Sequence, residues 1–429
     1  MPLSDLPRTN LTLTDLQPRR GESGSSPAGL AVSRTIVVAG AGIGGLTAAL
    51  ALAAKGFRIV VLEKATRLEE VGAGLQLSPN ASRILIDLGL EAALAPRLIV
   101  PDAVSVMSAR SGREIGCIPL GEAARFRYGT PYWILHRADL QAALLAHVRD
   151  NPDIDLRLGA QFEDIATYPK GVTVVQRKGN ARQQDTALAL IGADGVWSTV
   201  RHHLFPQVQP QFSGLIAWRG TIDATQLPRE YTARRVQLWM GPQAHLVAYP
   251  ISGARQINIV AVVPGTWSRP GWSAEGSGLE LRNAFASSRW PATARMMLGA
   301  VDSWRKWALF AVPEGCEWTK GPIALLGDAV HAMLPFAAQG AGMAIEDAAV
   351  LAATLSEHPV DTADAVSAAL KRYARLRRSR VARVQRAARA QGRIYHLTGP
   401  MALARDLAIK AMGPQQLLAR QDWIYDWRL

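Results

Sequence analysis

Residues 35 to 63 run as an apolar stretch, a glycine cluster, a second apolar stretch and an acid, an order that few folds can use. Ile36-Val37-Val38 has the β-branched content of a strand, Gly40-Ala41-Gly42-Ile43-Gly44-Gly45 interrupts it, and Ala48 to Ala54 continues with helical composition. Gly56 ends the helix, Arg58 to Leu62 reads as another strand, and Glu63 closes it. In such a unit Gly40 permits the tight turn, Gly42 lets backbone approach a pyrophosphate, and Gly45 lets helix and strand pack closely. The phosphates then meet the positive end of the helix, beside Ile43 and Gly44. Glu63 has the spacing of an acid that binds ribose hydroxyls, with Lys64 next to it. A glycine-rich turn in an ordinary α/β domain is the alternative, and it leaves Glu63 unexplained.

Residues 35 to 54 carry no charge and have the length of a membrane span. Their strand signal and glycine turn argue against a span, and no secretory leader pattern precedes them. The polar residues 1–33 read as a disordered extension outside the fold. A chain of 429 residues, 48% hydrophobic and 19% charged, can bury the cores of two joined domains. Cys117 and Cys316 stand alone, without disulfide or metal-ligand spacing, so no metal site is expected and a reducing, cytoplasmic setting is. Much of the net charge of +13 lies between Lys371 and Arg393, on a predicted helix. A solvated helix surface is the expectation there, ahead of RNA or membrane binding. The positive field would draw anionic aromatic acids and pyridine nucleotides.

The expected fold class is α/β: a Rossmann-like dinucleotide-binding domain, an inserted antiparallel sheet and C-terminal helices. The first domain is placed at 34–210 and 308–355, and the sheet at 211–307 with strands near 102–118 as a further contribution. Residues 356–429 form the helical end. Helices are predicted from Pro79 to Leu90, Arg137 to Val148, Ala341 to Leu355 and Val360 to Gly392. Two later signals return to the nucleotide site. They are Gly192-Ala193-Asp194-Gly195, and Leu326-Gly327-Asp328 leading to Gln339-Gly340-Ala341-Gly342. Asp328 follows a short apolar strand and precedes a helix start, so it can bind ribityl hydroxyls while helix N–H groups face a flavin pyrimidine edge. A helix-capping aspartate is the alternative.

From Thr35 onward the chain resembles the group A flavoprotein aromatic hydroxylases with a para-hydroxybenzoate hydroxylase-like fold, most of all their salicylate hydroxylase-like branch. The resemblance rests on the glycine cluster, Gly72-Ala73-Gly74-Leu75-Gln76-Leu77-Ser78-Pro79-Asn80, His136-Arg137-Ala138-Asp139-Leu140, Gly192 to Gly195, and Gly327 to Ala348. It implies that FAD is held by Glu63 at the adenosine ribose, by Arg137 near the phosphates and ribityl chain, and by Asp328 at the ribityl chain. Gly74 and the 340–342 turn belong to the same site, Asp194 to a motif linked with both FAD and the nicotinamide cofactor, and Pro335 beside the isoalloxazine. NADH or NADPH would dock transiently, since no second glycine fingerprint occurs. The implied reaction spends NAD(P)H and O2 to hydroxylate a small aromatic acid or phenol through a C4a-hydroperoxyflavin, with salicylate-like substrates first. A hydroxybenzoate or hydroxynicotinate hydroxylase, a flavin halogenase, a flavin dehydrogenase or a non-catalytic descendant of the fold are the rivals. A monomer or homodimer is expected.

Substrate contacts are less determined. Gln76 and Phe336 occupy places where relatives often carry a histidine or another polar group. His245, on the predicted strand His245 to Tyr249, can take a phenolic proton or be an ordinary sheet histidine. Trp218 and Arg219, on the strand Gly214 to Gly220, are candidates for an aromatic wall and a carboxylate partner, with a structural salt bridge the alternative for Arg219.

Overall fold

The computed structural model describes residues 34–68, 74–228, 233–268, 271–286 and 290–429. The expectation for residues 1–33, and the Gly72-Ala73 part of the second motif, lie outside the described residues.

The β-branched runs form the centre of a parallel sheet. Thr35–Ala39 pairs with Arg58–Glu63 on one side and Ala189–Gly192 on the other, and Ile323–Leu325 extends the sheet beyond that. The last pairing brings a strand from late in the chain beside the first βαβ unit. Helix Ile43–Ala53 is buried on nearly every residue because the sheet and helix Gly340–Ser356 cover its faces. Its glycines and alanines make that sandwich close: a Cβ on Gly44 would lie 3.2 Å from the Ala344 Cβ. The span reading of residues 35–54 therefore resolves into strand, turn and helix, and no described helix is long and apolar enough to cross a membrane. Strands Ala160–Tyr168, Gly171–Lys178 and Ala181–Ala187 form a small antiparallel sheet at the edge.

A second sheet of eight strands runs in the order Ser273–Gly276, Trp304–Ala311, Gln211–Asp223, Gln256–Pro264, Ala244–Ile251, Arg235–Gly241, Ala103–Ser108, Glu114–Pro119. It is antiparallel except where Arg235–Gly241 pairs in parallel with Ala103–Ser108. Side chains alternate between its faces. Trp218, Leu246, Ala248, Ile259 and Ala261 pack on one side against Leu281, Phe285, Trp290 and Met297. Arg219, His245, Val247, Tyr249, Val260 and Val262 face the other way, toward the first domain.

The basic segment departs from expectation. Helix Ala363–Tyr395 presents a stripe of Leu370, Tyr373, Ala374, Arg377, Val381, Val384 and Ala388 to the core. Arg377 on this stripe is 1% exposed, and its Nε and Nη1 donate to Asp347 Oδ1 at 2.7 Å and Glu346 Oε2 at 2.6 Å. Arg380 closes on Glu346 from the same helix at 2.6 Å. Only part of the arginine-rich segment is thus a solvated face. The remaining oxygen of Asp347 meets His331 Nε2 at 2.6 Å and accepts from the Gly327 N–H at 3.0 Å. Burial alone would raise the Asp347 carboxyl, but His331 and Arg377 outweigh it and hold its pKa below the ordinary value.

Asp347→Asn should strip the buried arginine of a counter-charge and destabilise the fold by roughly 3–5 kcal/mol. Because the folded pKa is depressed, this contribution is full above the ordinary carboxylate range and is lost as pH falls through the folded value. Urea unfolding followed by circular dichroism should show a flatter acid limb in the variant; an unchanged midpoint at neutral pH would contradict the placement.

Candidate functional site

Two adjoining cavities open along the glycine loop, the larger between the parallel sheet and the eight-stranded sheet and the smaller between the parallel sheet and strand Ala160–Tyr168. One, of about 330 Å³, is lined by Gly42, Ile43, Gly44, Gly74, Gln76, Arg137, Arg219, His245, Tyr249, Asp328, Pro335, Gly340 and Ala341 among others. The second, of about 210 Å³, is lined by Glu63, Lys64, Asp194 and Trp197, and the two share Gly42, Ala193 and Gly195. Glu63 and Asp328 thus border one continuous trench from different cavities.

The glycine loop is set by close backbone approach. Gly40 has φ +108°, and a Cβ there would sit 2.4 Å from the Ala193 carbonyl oxygen; a Cβ on Gly45 would sit 1.9 Å from the Gly40 oxygen. Gly42 is different, with nothing within 4 Å of its hypothetical Cβ. It caps helix Ile43–Ala53 without any side-chain cap and without an acid in the first turn, so the positive helix end opens into the trench. Helix Gly340–Ser356 starts in the same manner, uncapped by a side chain, with Gly340 and Ala341 on the cavity wall. Two such helix ends facing one space suit an anionic, electron-accepting ligand.

The flanking motifs hold these ends in place. Gln141 Nε2 donates to the Ala41 carbonyl at 3.2 Å, and His136 Nδ1 accepts from Ala138 N–H at 3.3 Å, starting the helix that carries Arg137. Asn80 Nδ2 donates to Gln339 Oε1 at 3.2 Å and to Glu346 Oε1 at 2.6 Å, while Gln339 Nε2 donates to Ser78 Oγ at 2.8 Å. Ser78-Pro79-Asn80 is therefore a brace for the second helix start. Glu63 accepts the Ala41 and Ala65 N–H groups, each at 2.8 Å. Asp194 Oδ2 accepts from Thr199 and Val200 N–H at 2.7 and 3.1 Å, whereas its Oδ1 is buried without a partner. Burial raises its pKa, more than its hydrogen bonds lower it. Asp328 is the first residue of the short helix Asp328–His331, whose N-cap position is taken by Gly327, so Asp328 is not the cap of that helix.

The roof of the larger cavity is the sheet face. Arg219 pairs across strands with Val260, which pairs with Val247; His245 pairs with Val262, and Tyr249 with Asn258. Asn258 Oδ1 accepts the Gly74 N–H at 3.1 Å, and a Cβ on Gly74 would lie 2.4 Å from the Tyr249 ring, so glycine is what lets the two domains meet there. Gln76 Oε1 accepts from the Tyr132 hydroxyl at 2.8 Å. Arg219 Nε is buried without a partner, and the guanidinium rests 5.1 Å from the Trp307 ring centre. Burial pushes the guanidinium down, yet an arginine stays charged. Burial pushes the Tyr249 phenol up to about 12 and the His245 imidazole down to about 3, the latter helped by His396.

Several expected contacts need correction. Trp218 is one residue from Arg219 on the same strand, so the pleat turns it to the opposite face, where its ring packs against Gly276. Phe336 does not line the cavity; it packs with Ala217, Val262 and Leu309 and meets the His245 ring edge-to-face at 5.1 Å. Gly342 also lies off the cavity walls, facing Gln339 and Asn80, while Gly45 has the close helix packing expected of it. Tyr249 and Val247 were missed, although their i+2 and i+4 spacing from His245 carries the signal. His396, 2.8 Å from His245, gave no signal in the sequence.

Comparison with known proteins follows the same lines. Residues 33–388 match the FAD binding domain family. The 3-hydroxybenzoate 6-hydroxylase of Polaromonas naphthalenivorans (strain CJ2) is 34% identical over 92% of this chain and 96% of its own. A 3-amino-4-hydroxybenzoate 2-monooxygenase of Streptomyces platensis is 36% identical over 91% of this chain and 95% of its own. Among solved structures, a salicylate hydroxylase in a substrate complex superposes with a TM-score of 0.77 at 26% identity, covering 92% of this chain and 95% of that one.

Gly42→Val would fill the open space before the first helix, and Asp328→Ala would remove the carboxylate from the wall of the larger cavity. Both variants should elute from gel filtration with less flavin absorbance than the parent protein. Full flavin occupancy of Gly42→Val would show that the trench is not the phosphate site.

Proposed function

The chain belongs to the FAD-dependent aromatic hydroxylases, and on that premise we propose that it hydroxylates a hydroxybenzoate, using NAD(P)H and O2. The observation that carries this reading is the composition of the cavity roof, a flat apolar face of Val247, Val260 and Val262 bearing one arginine, one histidine and one tyrosine. Arg219, with an unsatisfied Nε, has the chemistry to pair with a ring carboxylate. His245, which burial holds neutral, offers a ring nitrogen as hydrogen-bond acceptor to a phenol. The valines and Met333 exclude water from a ring held between them. The names of the relatives move 3-hydroxybenzoate ahead of salicylate as the first compound to test.

FAD fits the trench on the grounds given: two uncapped helix starts, an open glycine where a phosphate would approach, and an orphaned Asp194 oxygen at the far end. Glu63 would hold the adenosine ribose, Arg137 the phosphates and ribityl chain, Asp328 the ribityl hydroxyls, and Gly340 and Ala341 the ring edge. Bound there, it supplies electron transfer from the nicotinamide and activation of dioxygen. Pro335 borders both the flavin-side cavity and a third cavity of about 390 Å³, which Arg137, Arg219, Arg305, Trp272 and Trp307 also line. Its arginines and indoles suit the approach of an anionic nicotinamide cofactor or aromatic acid.

Purified protein should be yellow and should oxidise NADH or NADPH faster when 3-hydroxybenzoate, salicylate or 3-amino-4-hydroxybenzoate is added, with a hydroxylated product identified by mass spectrometry. No stimulation by any aromatic acid would reject the assignment. His245→Ala should keep its flavin, while hydroxylation per NAD(P)H consumed falls and peroxide rises, by up to roughly 10²-fold in hydroxylation rate.

A further inference from the structure

A fourth cavity, of about 210 Å³, opens behind the short helix Asp328–His331 and shares no lining residue with the other three. Asp328 belongs to the wall of the flavin-side cavity, whereas Val330 and His331 belong to this one. The loop from Pro313 to Trp318 forms one side, and helix Ala363–Tyr395 forms another through Arg378, Ser379, Val381 and Gln385. Hydroxylation makes no use of this space.

Its polar groups are incompletely paired. His331 is 2% exposed and its Nε2 is taken by Asp347 at 2.6 Å, yet its Nδ1 is buried with no partner. Gln385 donates to the Val312 and His331 carbonyls at 3.3 and 3.4 Å, so its amide is not a partner for that nitrogen. A buried nitrogen without a hydrogen bond costs free energy until a ligand supplies one. At the mouth, Arg378 is 37% exposed and reaches Glu317, itself 63% exposed, only at 3.4 Å. Glu314 on the wall is already held by Arg386 at 2.8 Å and by Arg389. Three arginines thus face two carboxylates, and the mouth is left positive. Trp318, Val330 and Val381 supply apolar walls, with the Trp318 ring 5.2 Å from His331 at a tilt of 34°.

We propose that this cavity is an effector site for a small aromatic carboxylate bearing a ring hydroxyl, with the carboxylate at Arg378, the ring against Trp318 and the hydroxyl at His331. A hydroxyl suits either state of the imidazole, since it donates to a neutral Nδ1 and accepts from a protonated one. Occupancy is linked to the flavin trench through the backbone. The Asp347 oxygen that meets His331 also accepts the Gly327 N–H at 3.0 Å, and the Gly327-Asp328 turn lines the trench. Tyr373, with its ring 5.8 Å from Trp318, donates to the Leu325 carbonyl at 3.1 Å in the strand that leads to this turn. A guest that completes the hydrogen bonds of His331 restrains the turn and slows loss of flavin. The ligand class is read from the cavity's own residues; only its coincidence with the substrate class rests on the proposed hydroxylase reading.

Cys316, also on the wall, reports occupancy. Its thiol donates to the Val330 carbonyl at 3.4 Å, and burial pushes its pKa up, so it stays protonated and reacts slowly. Flavin-loaded protein is treated with N-ethylmaleimide, and Cys316 modification is followed by peptide mass spectrometry with and without salicylate or 3-hydroxybenzoate. At ten times the dissociation constant the acid should slow modification about tenfold, and flavin release on dilution should slow with it. Arg378→Gln should lose both effects while retaining the flavin absorbance change that marks binding in the trench; Arg378→Lys should keep part of the protection. Equal Cys316 rates with and without acid, undiminished protection in Arg378→Gln, or the same protection by inorganic phosphate would overturn the effector site. Protection without any change in flavin release would overturn the link to the trench. Failure of every aromatic acid to stimulate NAD(P)H oxidation would instead fell the hydroxylase reading, and Cys316 protection would stand without it.

Discussion

Adjacent carboxylates at Glu346 and Asp347, both fully buried, are the constraint around which this molecule is arranged. Two like charges side by side in a core are tolerable only if cations and donors close on them, and here Arg377, Arg380, His331, Asn80 and the Gly327 N–H do so. Those partners come from the long C-terminal helix, the Gly327-Asp328 turn and the helix after Gly74–Leu77. One buried cluster therefore ties the cavity-lining Gly327-Asp328 turn and the start of helix Gly340–Ser356 to the two helices packed behind them. Buried ion pairs of this kind add little to net stability when compared with apolar packing, but they specify geometry, since any shift leaves a charge unpaired. That specificity matters where a helix start must face a ligand to within a fraction of an ångström.

The site is built at the contact of two unlike surfaces. The parallel sheet supplies helix N-termini and close glycine turns, which provide directed positive potential but little shape selectivity. The eight-stranded sheet supplies a flat, branched apolar face with few polar side chains, which provides shape and little charge. Tyr249 against Gly74, locked by Asn258, is where the surfaces touch. On the proposed reading, dinucleotide binding and ring selection fall to separate parts of the fold, in keeping with relatives that differ in the aromatic compound they are named for.

How much the sequence revealed follows from the range of each signal. The glycine loop and the places of Glu63 and Asp328 on the cavity walls were readable because they depend on local backbone geometry: a positive φ, a close approach, a strand end. Trp218 was misplaced because alternation shows that neighbours face opposite ways but not which way is inward, and the far side of this sheet has a core of its own. Arg377 was treated as part of a solvated charge run, although its spacing from Tyr373 and Val381 puts it on the buried stripe. His396 could not be found at all. It lies at a helix end with no periodic pattern, and only the fold brings it beside His245.

The electrostatics of the roof point to what kind of guest the cavity will hold. Arg219 is a charge buried beside an indole face with one N–H unsatisfied, an arrangement that costs free energy until an anion arrives. His245 is neutral and linked to a second neutral histidine, so it offers an acceptor without adding positive charge to the apolar space. A neutral phenol without a carboxylate would leave the arginine unpaired, and a benzoate without a hydroxyl would leave the histidine pair idle. A compound carrying both groups on one ring would satisfy both ends of the roof, with Val247, Val260 and Val262 as the apolar lining beside them.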